Sequence, residues 1–190
     1  MSPAPLRRNA RRYVPPLAVA LTVIVAQLLP HPPNVAPIRA AALFGGARFP
    51  SAWTAFLVPL GAQLLGALGV ALFRGDASYG FHALAPVVYG CVVLNVLLGL
   101  AIRARSGWLP IAAATAGGSL IFFLLTNFAV WFFLGAYPPS AEGLARCYAA
   151  GLPFLASGLV GDAAYSALFF GGLALLERGA PRAARQRGVA

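Results

Sequence analysis

The sequence predicts an all-α membrane protein, a six-helix transmembrane bundle with both termini cytoplasmic. Three observations carry that prediction. Of 190 residues, 60% are hydrophobic and only 9% are charged, with a mean hydropathy of +0.80, well outside the range of a soluble domain. Apolar runs of bilayer-spanning length recur with short breaks between them. The net charge of +10 is carried by 14 basic residues, all arginine, and gathered mainly at the chain ends.

The first element is a basic tail, residues 1–12, with Arg7, Arg8, Arg11 and Arg12. A single transmembrane domain is expected over 13–177, and a second basic tail over 178–190 holds Arg178, Arg182, Arg185 and Arg187. Basic tails of this kind flank membrane spans and face an anionic leaflet, so the charge argues for a lipid surface and against nucleic acid.

Five runs are long: Val14–Leu29, Ser51–Phe73, Phe81–Ile102, Trp108–Leu134 and Ala149–Leu176. The first also has the form of a signal peptide, but no A-x-A site follows in the usual place and "LPHPPNVAP" is a proline-rich turn. A sixth run, Val35–Phe49, carries Arg39 and reaches only about 22 Å at 1.5 Å per residue. The arginines decide whether it crosses. If it does, the inside holds both tails, Arg48, Arg103 and Arg105, and only Arg74 and Arg146 lie outside. If it does not, more arginines fall outside than inside. Six crossings are expected.

Polar residues inside the runs are the candidates for function. Asp162 is the only acid deep in a span, and a carboxylate at mid-bilayer costs about 2.5–3.5 kcal/mol on insertion scales, so it should face the bundle interior. Helical spacing puts Gly158, Gly161, Tyr165 and Ser166 on the same broad face. Arg39 is its natural counter-charge, in a site or in a structural salt bridge. In "FFLLTNFAVWFF", Phe123, Asn127 and Trp131 form an i, i+4, i+8 row, an amide between aromatic rings that suits a planar, hydrogen-bonding molecule. Thr126 stands beside it and can bond its own helix. The competing reading is interhelical glue, worth about 0.6 kcal/mol per contact on average. Cys91 and Asn95 share a face; a buried cysteine is usually a small hydrophobe, although its thiolate would suit a soft metal. His31 and His82 fall at outside ends without metal-ligand spacing, where a loop role is favoured, although either could line a binding mouth. The two cysteines are expected to be reduced and separate in depth.

Several chemistries are missing from the sequence. A Walker A motif needs lysine, and there is none; H-E-x-x-H, C-x-x-C and G-x-S-x-G are also absent. No cofactor is called for.

Five segments, "PNVAPIRAAALFGG", "FHALAPVVYG", "GSLIFFLLTNFAVW", "YPPSAEGLARCYAAGLPF" and "LVGDAAYSALFFG", together resemble a family of uncharacterised bacterial six-span membrane proteins. That family is similar to the substrate-binding S components of energy-coupling factor (ECF) vitamin transporters. The match runs from about Pro33 to Glu177. The resemblance implies an outward substrate pocket and a first helix that contacts a coupling subunit through small residues, here Ala18, Thr22 and Ala26, with ATPases acting in trans. Relatives often carry a small residue where Arg39 stands, and Ser-Asp where this chain has Gly66-Ala67.

The sequence therefore reads as a non-enzymatic uptake subunit of the bacterial inner membrane for a small water-soluble nutrient. The nutrient is expected to be a vitamin or cofactor precursor, with cobalamin a candidate through Cys91 beside flavin- and thiamine-like compounds. The candidate substrate-binding set is Asn127, Trp131, Phe123, Thr126, Tyr89, Cys91, Asp162 and Arg39. The alternatives are a scaffold or assembly protein without a ligand, and an intramembrane enzyme acting on lipid through Asp162.

Overall fold

The computed structural model describes the backbone of residues 5–186 and the side chains of residues 14–178. Among the described residues the chain is all helical: α1 (Pro5–Leu28), α2 (Ile38–Arg48), α3 (Ala52–Arg74), α4 (Ala85–Ile102), α5 (Trp108–Leu134) and α6 (Ala141–Gln186), with a 3-10 turn at Ala77–Tyr79. Four of these, α3 to α6, are long and apolar enough to cross a membrane, and Val14–Leu28 of α1 is a shorter apolar stretch. Leu17, Leu72, Leu109 and Val160 project from the periphery, each at least 71% exposed. Large apolar side chains turned outward on every long helix are what a lipid-facing bundle presents.

The short run holds the bundle together from its centre. Every residue of α2 from Ile38 to Ala47 is buried, and α1, α3, α4, α5 and α6 all pack on it. Its sequence, "IRAAALFGGA", explains this: small side chains on all sides let neighbouring backbones come close. The tightest approach is Gly46 of α2 against Gly99 of α4. A Cβ on Gly46 would lie 2.9 Å from Gly99 Cα and closer still to the Val96 carbonyl, while one on Gly99 would strike the Leu43 carbonyl. Beside this crossing, Phe44 meets Phe49, Phe169 and Phe170 at ring-centre distances of 5.8, 5.9 and 5.0 Å.

Helix ends are closed by local chemistry. Ser51 and Thr54 form a reciprocal capping box that starts α3. Glycines in the left-handed region, Gly75 and Gly135, end α3 and α5. At the end of α2, Arg103 from α4 donates from Nε to the Gly46 carbonyl (2.9 Å) and from Nη2 to the Phe49 carbonyl (3.1 Å). In the turn after α3, the Asp76 carboxylate accepts from the Ser78 backbone N–H at 2.8 Å, which holds its carboxyl below the usual range.

Three boundaries differ from the sequence expectation. The span expected from Phe81 begins as a helix at Ala85, with Pro86 in its first turn. The final helix begins at Ala141 rather than Ala149, because Ser140 Oγ accepts from the Gly143 N–H (3.1 Å) and Glu142 pairs with Arg146 at i, i+4 (2.6 Å) on an exposed face. Cys147 therefore lies inside α6 rather than before it. The Val35–Phe49 run is helical only over Ile38–Arg48, with Leu29–Pro37 non-helical apart from turns. Arg48 and Arg103 share one end of the bundle; Asn34, His82 and Tyr137 share the other.

Candidate functional site

Where α2 begins, its packing changes from apolar to polar. Arg39, 4% exposed, donates from Nε to Oδ2 of Asp162 at 2.6 Å, and Asp162 is 1% exposed. Ser119 Oγ of α5 lies 2.6 Å from the same carboxylate oxygen and donates to it. Arg39 Nη2 donates to the Asn34 carbonyl at 2.9 Å, and the Phe122 ring covers the guanidinium 4.4 Å away. Three helices and one loop thus meet at a single ion pair. Opposite Arg39, Gly158 of α6 leaves room for the guanidinium: a Cβ there would sit 3.1 Å from Nη2. Asp162 faces the bundle interior as its desolvation cost demands. A second polar contact continues along the α5–α6 seam, where the Thr115 and Ser166 hydroxyls lie 3.0 Å apart.

Asn34 has φ of 61°, an uncommon value for any residue but glycine. This conformation turns its carbonyl to Arg39 while its amide donates to the Phe154 carbonyl at 3.4 Å. Ser157 Oγ, reaching the Pro33 carbonyl at 3.0 Å, secures the same loop to α6. The proline-rich segment therefore folds into the end of the bundle as a lining.

Above the ion pair lies a cavity of about 480 Å³, bordered by Pro33, Asn34, His82, Leu84, Val88, Phe122, Thr126, Asn127, Val130, Tyr137, Cys147, Ala150, Gly151 and Phe154. That volume is in the range of small-molecule sites. Beneath it a chamber of about 10 Å³ shares Asn34, Phe122, Thr126, Asn127 and Phe154 with the cavity and adds Arg39, Ser119, Phe123, Leu155 and Gly158. The two spaces share five lining residues, and the lower one borders the buried cation.

The residues expected at the site separate into three groups. Thr126 and Asn127 line the cavity, and Phe123 and Arg39 line the chamber. Thr126 Oγ1 donates to the Phe122 carbonyl (2.7 Å) and Asn127 Nδ2 to the Phe123 carbonyl (2.8 Å), so each is held by its own helix. Asn127 also depends on Gly151 across the seam, since a Cβ there would collide with the amide. Asp162 lies behind Arg39 and borders neither space.

Trp131, Tyr89 and Cys91 depart from the expected lining. Successive i+4 steps rotate by about 40° on a 3.6-residue helix, and by the second step Trp131 has left the cavity face. Its Nε1 donates to the Pro138 carbonyl at 2.9 Å, tying the α5–α6 loop to α5. Tyr89 borders neither space, and its buried hydroxyl has no partner among the described residues. Cys91 is fully buried, with Asn95 Nδ2 bonded to its carbonyl at 2.9 Å. A cobalt ligand at Cys91 has no access from the cavity. Asn95 is in turn fitted against Gly118 of α5, which makes it an interhelical contact.

The small-residue row on α1 is divided. Ala18 and Thr22 border a shallow groove between α1 and α6 floored by Phe44, with Thr22 Oγ1 bonded to the Ala18 carbonyl at 2.9 Å. Ala26 lies outside it. In the third helix, Gly66 leaves space occupied by Gln27 of α1, so the departure at Gly66-Ala67 is filled by a neighbouring amide.

Sequence reasoning missed Ser119, Asn34, Tyr137 and Phe154. His82 lines the cavity mouth as one of two expected options, while His31 only meets the adjacent Pro32 carbonyl. Asn34 carried a usable signal, an asparagine inside a proline-rich turn. Ser119 carried none, since its partner lies 43 positions away.

A membrane-type helical bundle with a ligand-sized cavity at one end is the class that fold and site define. Residues 7–183 match a family of unknown function, DUF6580, and the chain belongs to that family. No curated protein and no solved structure matches it.

Proposed function

We propose that this protein is a substrate-binding membrane subunit, similar in role to ECF S components, for uptake of a small water-soluble nutrient such as a vitamin or cofactor precursor. The observation that carries the proposal is the cavity of about 480 Å³ whose walls offer Asn127 and Thr126 beside aromatic rings. Both side chains satisfy part of their hydrogen bonding within α5, the Asn127 amide also packs on Gly151 of α6, and both residues border the cavity with hydrogen-bonding capacity to spare. Such a subunit performs no covalent chemistry, and ATPases in trans with a coupling subunit would supply the energy. Ala18 and Thr22, at the α1–α6 groove, are the proposed partner contact.

Placement in the bacterial inner membrane with six crossings and both termini cytoplasmic belongs to the same proposal. It is supported by the arginine distribution and by Arg48 and Arg103 lying together at one end. Reporter fusions at the two tails test it, and a periplasmic C-terminus would overturn it.

The binding role is tested by thermal-shift screening of purified protein against water-soluble vitamins, followed by titration of any hit. Asn127→Ala is expected to weaken the hit by about 1–3 kcal/mol, the cost of an unpaired buried group, and to leave ligand-free melting nearly unchanged. A large loss of stability with unaltered affinity would favour the scaffold alternative.

A further inference from the structure

We infer that the ligand is an uncharged cyclic amide or imide, a planar ring with a carbonyl next to a ring N–H, and that Arg39 holds the carbonyl from below. This inference rests on the binding role proposed above and narrows its substrate class.

The charge balance of the site comes first. Among the described residues Arg39 is the only arginine or acid bordering either the cavity or the chamber, and its charge is matched by Asp162 at 2.6 Å. A ligand anion would approach the Asp162 carboxylate lying behind the guanidinium. A ligand cation would approach Arg39 with no acid in the lining to offset it. Either places an unmatched charge where desolvation is expensive. An uncharged ligand avoids both penalties.

The hydrogen-bonding groups then select among uncharged ligands. A guanidinium has five N–H donors. Here Nε serves Asp162 and Nη2 serves the Asn34 carbonyl, while among the described residues no acceptor meets Nη1. The chamber that Arg39 borders, about 10 Å³, has room for about one oxygen-sized atom. A carbonyl oxygen fits there and receives a charge-assisted hydrogen bond; one oxygen of a carboxylate would fit as well, so it is the charge balance, not the space, that selects against an anion. Asn127 borders both spaces. Its Nδ2 is bound to the Phe123 carbonyl, and among the described residues no donor meets its Oδ1, which leaves an acceptor for the adjacent ring N–H. Phe122 and Phe154 also border both spaces and offer aromatic surface to a flat ring.

Calorimetric titration of the protein in lipid nanodiscs with two matched pairs tests this: uracil with orotate, and 2-pyridone with its 5-carboxylate. The uncharged member of each pair is expected to bind at least about tenfold more tightly, the scale of one buried hydrogen bond to a charged group. The double variant Arg39→Met with Asp162→Leu removes both charges together, leaving none unpaired. It is expected to stay folded and to lose about tenfold in affinity for the uncharged member. Tighter binding of a carboxylate, with Asn127→Ala weakening it, overturns the ligand class and leaves the cavity as a binding site. Unaltered affinity in the folded double variant overturns the role of Arg39. No binding of any of the four compounds at millimolar concentration overturns the ligand class, while the binding role stands or falls separately on the vitamin screen.

Discussion

The two ends of α2 are packed by opposite means. At its C-terminal end, glycine meets glycine, backbone lies on backbone, and Arg103 satisfies the last carbonyls from outside the helix. At its N-terminal end the neighbouring chains separate, and charged and polar side chains bridge the gap: Arg39, Asp162, Ser119 and the Asn34 carbonyl. The first end leaves no room for a side chain. The second leaves a cavity. Close packing and an open site are thus both achieved by one 11-residue helix, because its sequence concentrates glycine at one end and places its only charged interior residue at the other.

The comparison breaks first at the ion pair. Asp162→Leu leaves Arg39 buried and unpaired, and a loss of about 3–5 kcal/mol is expected, measured as melting temperature and monodisperse yield in mild detergent. Asp162→Asn retains an acceptor for Arg39 and Ser119 and should keep clearly more folded protein. Equal yields would show that the pair does not hold this end together.

At the sealed end, Gly99→Ala pushes a methyl group onto the Leu43 carbonyl and is expected to cost about 1–3 kcal/mol, read from the same melts. Gly90→Ala on the same helix meets open space and is the control. The smallest effect belongs to the cavity wall. Thr126→Val removes a hydroxyl already bonded within its own helix, and the stability change should stay within about 0.5 kcal/mol. Any change in ligand affinity would then report on the site alone.

Much of the fold was legible in the sequence because the physics was one-dimensional. The Trp108–Leu134 run became α5 with the same ends, since Gly107 and Gly135 bracket an unbroken apolar stretch. Asp162 had to face inward for solvation reasons, and Arg39 was the only opposite charge within a span. Trp131 was misplaced because a row of i+4 steps drifts around the helix, an error that grows with each step. The early start of α6 was hidden by polar residues above the apolar run, which read as loop until Ser140 is seen to cap them. The central place of α2 depended on glycines in two separate helices, and the partnership of Ser119 with Asp162 on a crossing between two others. Neither leaves a periodic trace.

The shortness of α2 has an electrical consequence. If the proposed outward orientation holds, water filling the cavity above Arg39 carries the outside potential inward with it. The drop is then concentrated across the closed remainder, about 16 Å at 1.5 Å per residue, rather than the full hydrocarbon thickness. A single charge crossing the whole field gains or loses about 2.3 kcal/mol per 100 mV. Arg39 and Asp162, held together as a neutral dipole at the upper boundary of that zone, feel almost none of it. On that orientation the site is insulated from membrane voltage, and the occupancy of an uncharged ligand should be the same in energised and de-energised membranes.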